Sequence, residues 1–357
     1  MTNSKKTPSA FLAVLPLVLL VVMLVVTVRA YGSDSLLGAS QVTLLAVSAC
    51  CVLIGTLFLR IPFKDFERAI THNISSVTSA ILILLFIGSL SGTWMVSGVV
   101  PSLIYYGIKI IHPEIFLFSS CIISAMVSIM TGSSWTTIAT IGIALMGIGR
   151  AQGFEDGWIA GAIISGAYFG DKISPLSDTT VLASGTLNVS IFKHIRYMLI
   201  TTIPSLAISL VIFLIAGFCT ASNSSHEISQ FTTALSSRFT ITPWLLIVPV
   251  VTGVMIAKRL PPVVTLCLST LLAVVFALIF QPQVLAEIVD GNLFKGAMQS
   301  IYGETSVQTT NPMLTSLVAT RGMQGMMNTI WLIICAMCFG GAMEAGGMVR
   351  SLTRLFV

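Results

Sequence analysis

The feature that most constrains this chain is the recurrence of apolar runs, beginning with Ala10–Val28, whose length matches the hydrocarbon thickness of a bilayer. A backbone in lipid has to satisfy its own polar groups, so such runs fold as helices and a chain built of them folds as a bundle. The candidate spans are 10–28, 37–59, 77–97, 115–131, 134–149, 158–170, 179–190, 197–218, 243–257, 261–280 and 329–349. Of these, 134–149, 158–170 and 179–190 are too short to cross alone. They read as broken or re-entrant pieces, tolerated only where other helices shield their backbone. The first run exceeds the roughly 7–15 residues of a signal-peptide core and is read as the first span. The fold class expected is therefore all-α, a polytopic membrane protein forming a single transmembrane domain over 1–357.

Composition agrees. Only 9% of residues are charged and the mean hydropathy is +0.97, where a soluble domain carries about a quarter charged residues. The formal charge of +5 comes from basic residues at the ends of apolar runs, which excludes a nucleic-acid partner as its explanation. Lys5, Lys6, Arg60, Lys64, Arg68, Lys193, Arg196, Lys258, Arg259, Arg350 and Arg354 fit one side of the membrane, the cytoplasmic one, with the N-terminus on that side. Residues 219–240 fit the other side, and 282–328 read as the longest polar connection. The seven cysteines have no zinc-like spacing, and Cys335-x-x-Cys338 lies inside an apolar run, where core packing is the simpler role.

Against this background Gly170-Asp171-Lys172-Ile173-Ser174-Pro175-Leu176-Ser177-Asp178-Thr179-Thr180 stands out. Ionisable residues at membrane depth face a protein interior or a water-filled cavity and mark ion or substrate pathways. Pro175 removes a backbone donor and biases Ser174 away from helix, so the segment predicts an unwound break between half-helices. Hard cations take oxygen ligands, and Asp171, Asp178, Ser174, Ser177, Thr179 and Thr180 supply carboxylates and hydroxyls beside freed carbonyls. A carboxylate that accepts either a proton or a cation exchanges one for the other. Lys172 is positioned to pair with an Asp when no cation is bound. The bland alternative is a static buried pair pinning helices together.

A second polar segment, Thr131-Gly132-Ser133-Ser134-Trp135-Thr136-Thr137, has two readings. Small and hydroxyl residues serve as helix glue in lipid. The same residues at a hairpin tip present hydroxyls and helix N–H groups to a substrate, with Trp135 bordering the cavity. Glu344, among Gly340, Gly341, Gly346 and Gly347, is a candidate second coupling site, or else an acid near a helix end that reaches water. His72 with Lys64, Asp65, Glu67 and Arg68 reads as an amphipathic interfacial stretch.

Sliding 77–103 along by 249 positions sets Gly92 on Gly341, Gly98 on Gly347 and Ser102 on Ser351, a weak internal repeat of the kind secondary transporters invert. The first repeat would cover about 77–190 and the second would begin at about 326–357. At that offset the partners of both polar segments fall beyond Val357, so the sequence is expected to stop short of a complete second repeat.

The string Ala167–Thr180, with Gly132-Ser133-Ser134-Trp135-Thr136-Thr137 before it and Arg321-Gly322-Met323-Gln324-Gly325-Met326 after it, resembles the NhaC family of Na⁺/H⁺ antiporters. The resemblance runs from the second helix onward. It implies a bacterial inner-membrane carrier of inverted repeats that exchanges Na⁺, and in some relatives a carboxylate, against H⁺. It also implies a second polar motif that this chain lacks. The function expected is secondary active exchange of Na⁺ or Li⁺ for H⁺. Asp171 and Asp178 are the ion and proton ligands, completed by Ser174, Ser177 and Thr179. Thr131, Ser133, Ser134, Trp135, Thr136, Lys172 and Glu344 are candidates to line the cavity. The alternatives are a Na⁺-coupled carboxylate or amino-acid antiporter and an inactive truncated remnant. No cofactor beyond the transported ions is expected, and no enzymatic activity, since no nucleophile and base pair or nucleotide-phosphate motif is present. The partners expected are Na⁺, H⁺, the bilayer, a small organic anion in the alternative reading, and a second copy in a homodimer.

Overall fold

A computed structural model of the chain describes residues 8–175, 177, 179–180, 183–184, 189–220, 225–258, 260–289, 291–309 and 312–354. The helices are α1 (Ala10–Tyr31), α2 (Ala39–Leu57), α3 (Phe63–Ser76), α4 (Thr78–Val96), α5 (Val99–Ile110), α6 (Phe116–Thr131), α7 (Ser134–Thr137), α8 (Ile143–Ala151) and α9 (Asp156–Ile173). They continue as α10 (Ile191–Thr220), α11 (Ser225–Arg238), α12 (Ile247–Ala257), α13 (Pro262–Phe280), α14 (Pro282–Ile288), α15 (Leu293–Tyr302), α16 (Pro312–Val318), α17 (Met327–Ala345) and α18 (Met348–Thr353). Among the described residues seven helices are long and apolar enough to cross a bilayer, or eight if the bent pair Ser229–Arg238 and Pro243–Ala257 counts as one span. Among the described residues the extended pairing is a single bridge between Thr305 and Thr320. The chain is an all-α polytopic membrane protein.

Exposed apolar side chains confirm how these helices meet their surroundings. Val18, Val21, Val22, Val25 and Val26 of α1 and Ile200, Ile203, Ile208, Val211 and Ile215 of α10 all point outward. Water would not tolerate such contiguous surfaces, whereas acyl chains leave them neutral.

Contacts divide the chain into two compact units, one formed by the segment up to Leu84 together with that from Met326, the other by Leu85–Gly325. In the first unit α2, α3 and α17 pack around Cys51, Phe66, Ala342 and Met343. Phe66 lies over Gly55, and Gly341 lies against the backbone of Ile70, where a Cβ would come within 2.7 Å of its Cα. The amphipathic stretch read at 63–76 is α3, which buries Phe66 and turns Lys64, Glu67, Thr71 and His72 outward. Ser351 of α18 donates to the Pro8 carbonyl at 2.9 Å and ties the two segments of this unit together.

In the second unit α6 and α9 form the tightest pair. Gly166 and Gly170, one turn apart, face the backbone of α6, where a Cβ on Gly170 would come within 2.6 Å of the Ser128 Cβ. Ser128 donates across to the Ala167 carbonyl at 2.5 Å. This is the small-residue packing that lets helices approach in lipid, where no hydrophobic force drives them together.

The polar connection expected at 282–328 is in fact largely helical. It folds as α14, α15 and α16, with Gly296 of α15 against the Leu285 carbonyl of α14, and among the described residues 289, 291–292, 303–309 and 319–321 are turns, extended or irregular. These helices are too short for a span-length criterion to find, and their amphipathic faces are satisfied by packing rather than by lipid.

The pair α4 and α17 deserves comparison, since each has 19 residues and their first residues, Thr78 and Met327, stand 249 positions apart. Each is followed at the same spacing by a left-handed glycine, Gly98 (φ 81) and Gly347 (φ 68), that opens the next helix.

Candidate ion-binding site

Helix α6 stops where Gly132 takes the left-handed conformation, its N–H bonded to the Ser128 carbonyl. Ser133 is extended, and its hydroxyl caps α7 by accepting from the Thr136 N–H at 3.2 Å. Thr131 holds the turn from the other side: its Oγ1 accepts from the Ser133 N–H and donates to the Ser133 carbonyl, each at 3.1 Å. Thr137 donates to the same carbonyl at 3.0 Å. A π-turn at Ile138–Gly142 joins α7 to α8. Single π-turns inside helices recur at functional sites, because the widened turn redirects the carbonyls around it.

The second break follows α9. Ser174, at ψ 128, has left the helix, as the residue before a proline tends to, and Ile173 is the last helical residue. Ser174 is fully buried, and its hydroxyl donates to the Ile129 carbonyl of α6 at 2.8 Å. Beyond it the Ser177 and Thr179 hydroxyls are 2.9 Å apart. Thr180 is buried and donates to the Lys172 carbonyl at 3.2 Å.

The two breaks also meet on the other side of the first turn. The Ser134 hydroxyl donates to Asp171 Oδ2 at 2.8 Å, joining the first turn of α7 to the last turn of α9. Ser134 is buried and Asp171 half-buried, so one carboxylate oxygen is fixed while the residue keeps access to its surroundings. The fold thus brings together Ser134, Asp171, Ser174, Ser177 and Thr180, with Ser133, Thr131 and Thr136 one layer behind as the frame of the turn. Asp178 lies outside the described residues.

Other expected members stand apart from this contact. Trp135 is 50% exposed. Lys172 is exposed and forms no ion pair among the described residues. Glu344 belongs to the first unit, at the end of α17, where it lines a groove with Arg68 and Arg350. Ser128 was missed in the reading of the sequence, although Ser120, Ser124 and Ser128 recur at helical spacing opposite Gly166 and Gly170, a signal of close approach rather than of chemistry.

Comparison with known proteins adds an independent line. The model of the Na⁺/H⁺ antiporter family matches residues 166–357, the stretch that starts at the glycine packed against α6. The chain is 38% identical to the malate-2H⁺/Na⁺-lactate antiporter of Bacillus subtilis over 82% of its own length and 61% of that protein's. It is 37% identical to the Na⁺/H⁺ antiporter NhaC of Alkalihalophilus pseudofirmus, over 85% of this chain and 66% of the relative. It is 31% identical to the arginine/ornithine antiporter ArcD of Halobacterium salinarum, over 97% of this chain and 70% of the relative. The chain therefore spans roughly two thirds of the length of the relatives it matches. No solved structure matches it. From the broken helices around Asp171 and from these similarities together, the chain belongs to the Na⁺/H⁺ antiporter family.

Proposed function

We propose that this protein exchanges Na⁺ for H⁺ by alternating access across a bacterial inner membrane, with its N-terminus cytoplasmic. The observation that carries the reading is the Ser134–Asp171 contact, since it sets a carboxylate oxygen and a hydroxyl at the junction of two interrupted helices. Discontinuous helices free carbonyls that can complete the coordination of a small hard cation. Asp171 and Asp178 are the exchanging carboxylates in this proposal, with Ser174, Ser177 and Thr179 as further oxygen ligands. The matching bounds of α4 and α17, and the left-handed glycines after each, support reading 77–190 and 326–357 as parts of two repeats. The cytoplasmic N-terminus is supported by the contact of Pro8 with α18, which carries Arg350, on the same unit as Lys64 and Arg68.

The test is Na⁺-driven proton movement in proteoliposomes holding a pH-sensitive dye. Asp171→Asn and Asp178→Asn should each abolish it with insertion intact; unchanged exchange in either variant removes that carboxylate from the mechanism.

A second reading has the same carboxylates coupled to an organic anion. It is favoured by the similarity to a malate/lactate antiporter and by Lys172, an exposed ammonium beside Asp171 with no ion pair among the described residues. Under this reading Na⁺ alone leaves the internal pH unchanged and malate with lactate on opposite faces restores its movement. Lys172→Gln should then weaken organic-anion exchange, whereas under simple Na⁺/H⁺ exchange it should alter activity by no more than about twofold.

A further inference from the structure

The first unit carries a charged groove that the exchange site does not use. It is a cavity of about 650 Å³ between the polar face of α3 and the turn joining α17 to α18, lined by Asp65, Arg68, His72, Glu344, Arg350 and Thr353. Arg68 and His72 also line a neighbouring cavity of about 560 Å³ with Lys64, Glu67 and Thr71, so the depression continues along α3, where Lys64, Arg68 and His72 face the one acid, Glu67. Its cations and its acids are in different situations. Asp65 and Glu344 each have an interaction partner already. Arg68, His72 and Arg350 make no hydrogen bond or ion pair with any described residue. Two guanidinium groups and an imidazole therefore face one cavity with no described residue bonded to their donors, beside the Thr353 hydroxyl, which donates to the Val349 carbonyl at 2.6 Å. Guanidinium groups match the oxygens of a phosphate in bidentate geometry and are weakly hydrated, so they give up water readily for such an anion.

The surroundings decide where that phosphate comes from. Helix α3 buries Phe66 in the unit and exposes a charged face, as a helix lying in the headgroup plane does. Phe63 at its start and Phe58 at the end of α2 expose their rings, at 64% and 69%. Exposed aromatics beside basic residues suit the boundary between acyl chains and headgroups, where basic clusters attract anionic lipid. A soluble phosphate has no use for the rings.

We propose that this groove binds the phosphate of an anionic phospholipid, held by Arg68 and Arg350 with His72 and Thr353 at its rim. The proposal is independent of which ions the protein exchanges. The purified full chain, titrated with phosphatidylglycerol, phosphatidylcholine or inorganic phosphate, should retain phosphatidylglycerol in native mass spectra with an affinity about tenfold above phosphatidylcholine. The double variant Arg68→Gln/Arg350→Gln should lose that preference, Arg68→Lys/Arg350→Lys should keep part of it, and Lys295→Gln on the second unit should leave it unchanged. Should the double variant fail to fold, each single glutamine variant is expected to lower retention about threefold. Equal retention of phosphatidylglycerol by the glutamine variants would overturn the site. Displacement of the lipid by equimolar inorganic phosphate would overturn the lipid as its occupant.

Discussion

Gly170 of α9 lies against the backbone of Ala125 and Ile129 in α6, one residue before the carboxylate that the Ser134 hydroxyl holds. The position of Asp171 is thereby set by how closely two helices approach.

Enlarging that contact should disturb both stability and site. A Cβ at Gly170 meets the Ile129 nitrogen at 2.8 Å, and backbone gives way less readily than the end of a side chain. Gly170→Ala is expected to cost about 1–3 kcal/mol, the usual range for overpacking. Thermal unfolding in detergent measures it, and a melting curve identical to that of the unsubstituted protein would show that α6 and α9 separate without penalty.

The neighbouring serines of the first break should behave differently. Ser134→Ala removes the hydroxyl bonded to Asp171, and a hydrogen bond to a charged group is worth about 1.5–3 kcal/mol, so apparent Na⁺ affinity should fall roughly tenfold with folding intact. Ser133→Ala instead removes the cap of α7, at about 1 kcal/mol of stability, and reaches transport only through the turn. Concentration dependence of exchange, measured beside melting, separates the two; equal effects on affinity would mean that both hydroxyls face the ion.

Gly98 and Gly347 share a left-handed backbone but not their surroundings. A left-handed alanine costs about 1–2 kcal/mol by itself. At Gly347 the added methyl meets, among the described residues, Pro8 at 3.4 Å. At Gly98 it runs into the Gln281 amide, which is clamped to the Thr240 carbonyl at 2.9 Å and the Thr240 N–H at 3.1 Å. Gly98→Ala should therefore be the more destabilising, and the reverse order in unfolding experiments would contradict the packing described.

Arg150 and Asp156 form a forked ion pair at the start of α9, with contacts of 2.6 and 2.7 Å. The guanidinium holds the Asp156 carboxyl below its ordinary range. A depressed carboxylate contributes stability above the unfolded pKa and loses it as the pH drops through the folded one. The pair is largely exposed, so the melting difference between the parent protein and Asp156→Asn should be small near neutrality and shrink progressively once the pH falls below about 4, the ordinary Asp range, towards the lower folded value. A difference that grew on acidification would exclude the pair as its source.

The long spans, the first break and the helix end at Ser174 could be read from the chain because they are local, whereas most of the expected piece 179–190 lies outside the described residues. An apolar run of bilayer length dictates a helix, Gly132 permits the left-handed stop, and Pro175 forces Ser174 out of helical geometry. The helices within 282–328 escaped that reading, since α14, α15 and α16 are short and owe their existence to packing such as Gly296 on Leu285. Asp178, the other expected carboxylate, lies outside the described residues.

By itself, then, the sequence determined that the chain is a membrane bundle with two polar interruptions and an amphipathic surface helix, because bilayer thickness, helix caps and proline act on neighbouring residues. Only the tertiary structure decided that Ser134 rather than Ser133 reaches Asp171, and that Arg68 shares a groove with Arg350. Those pairings depend on the rotation and depth of one helix against another, which glycine contacts far apart in the chain set to within a fraction of a turn.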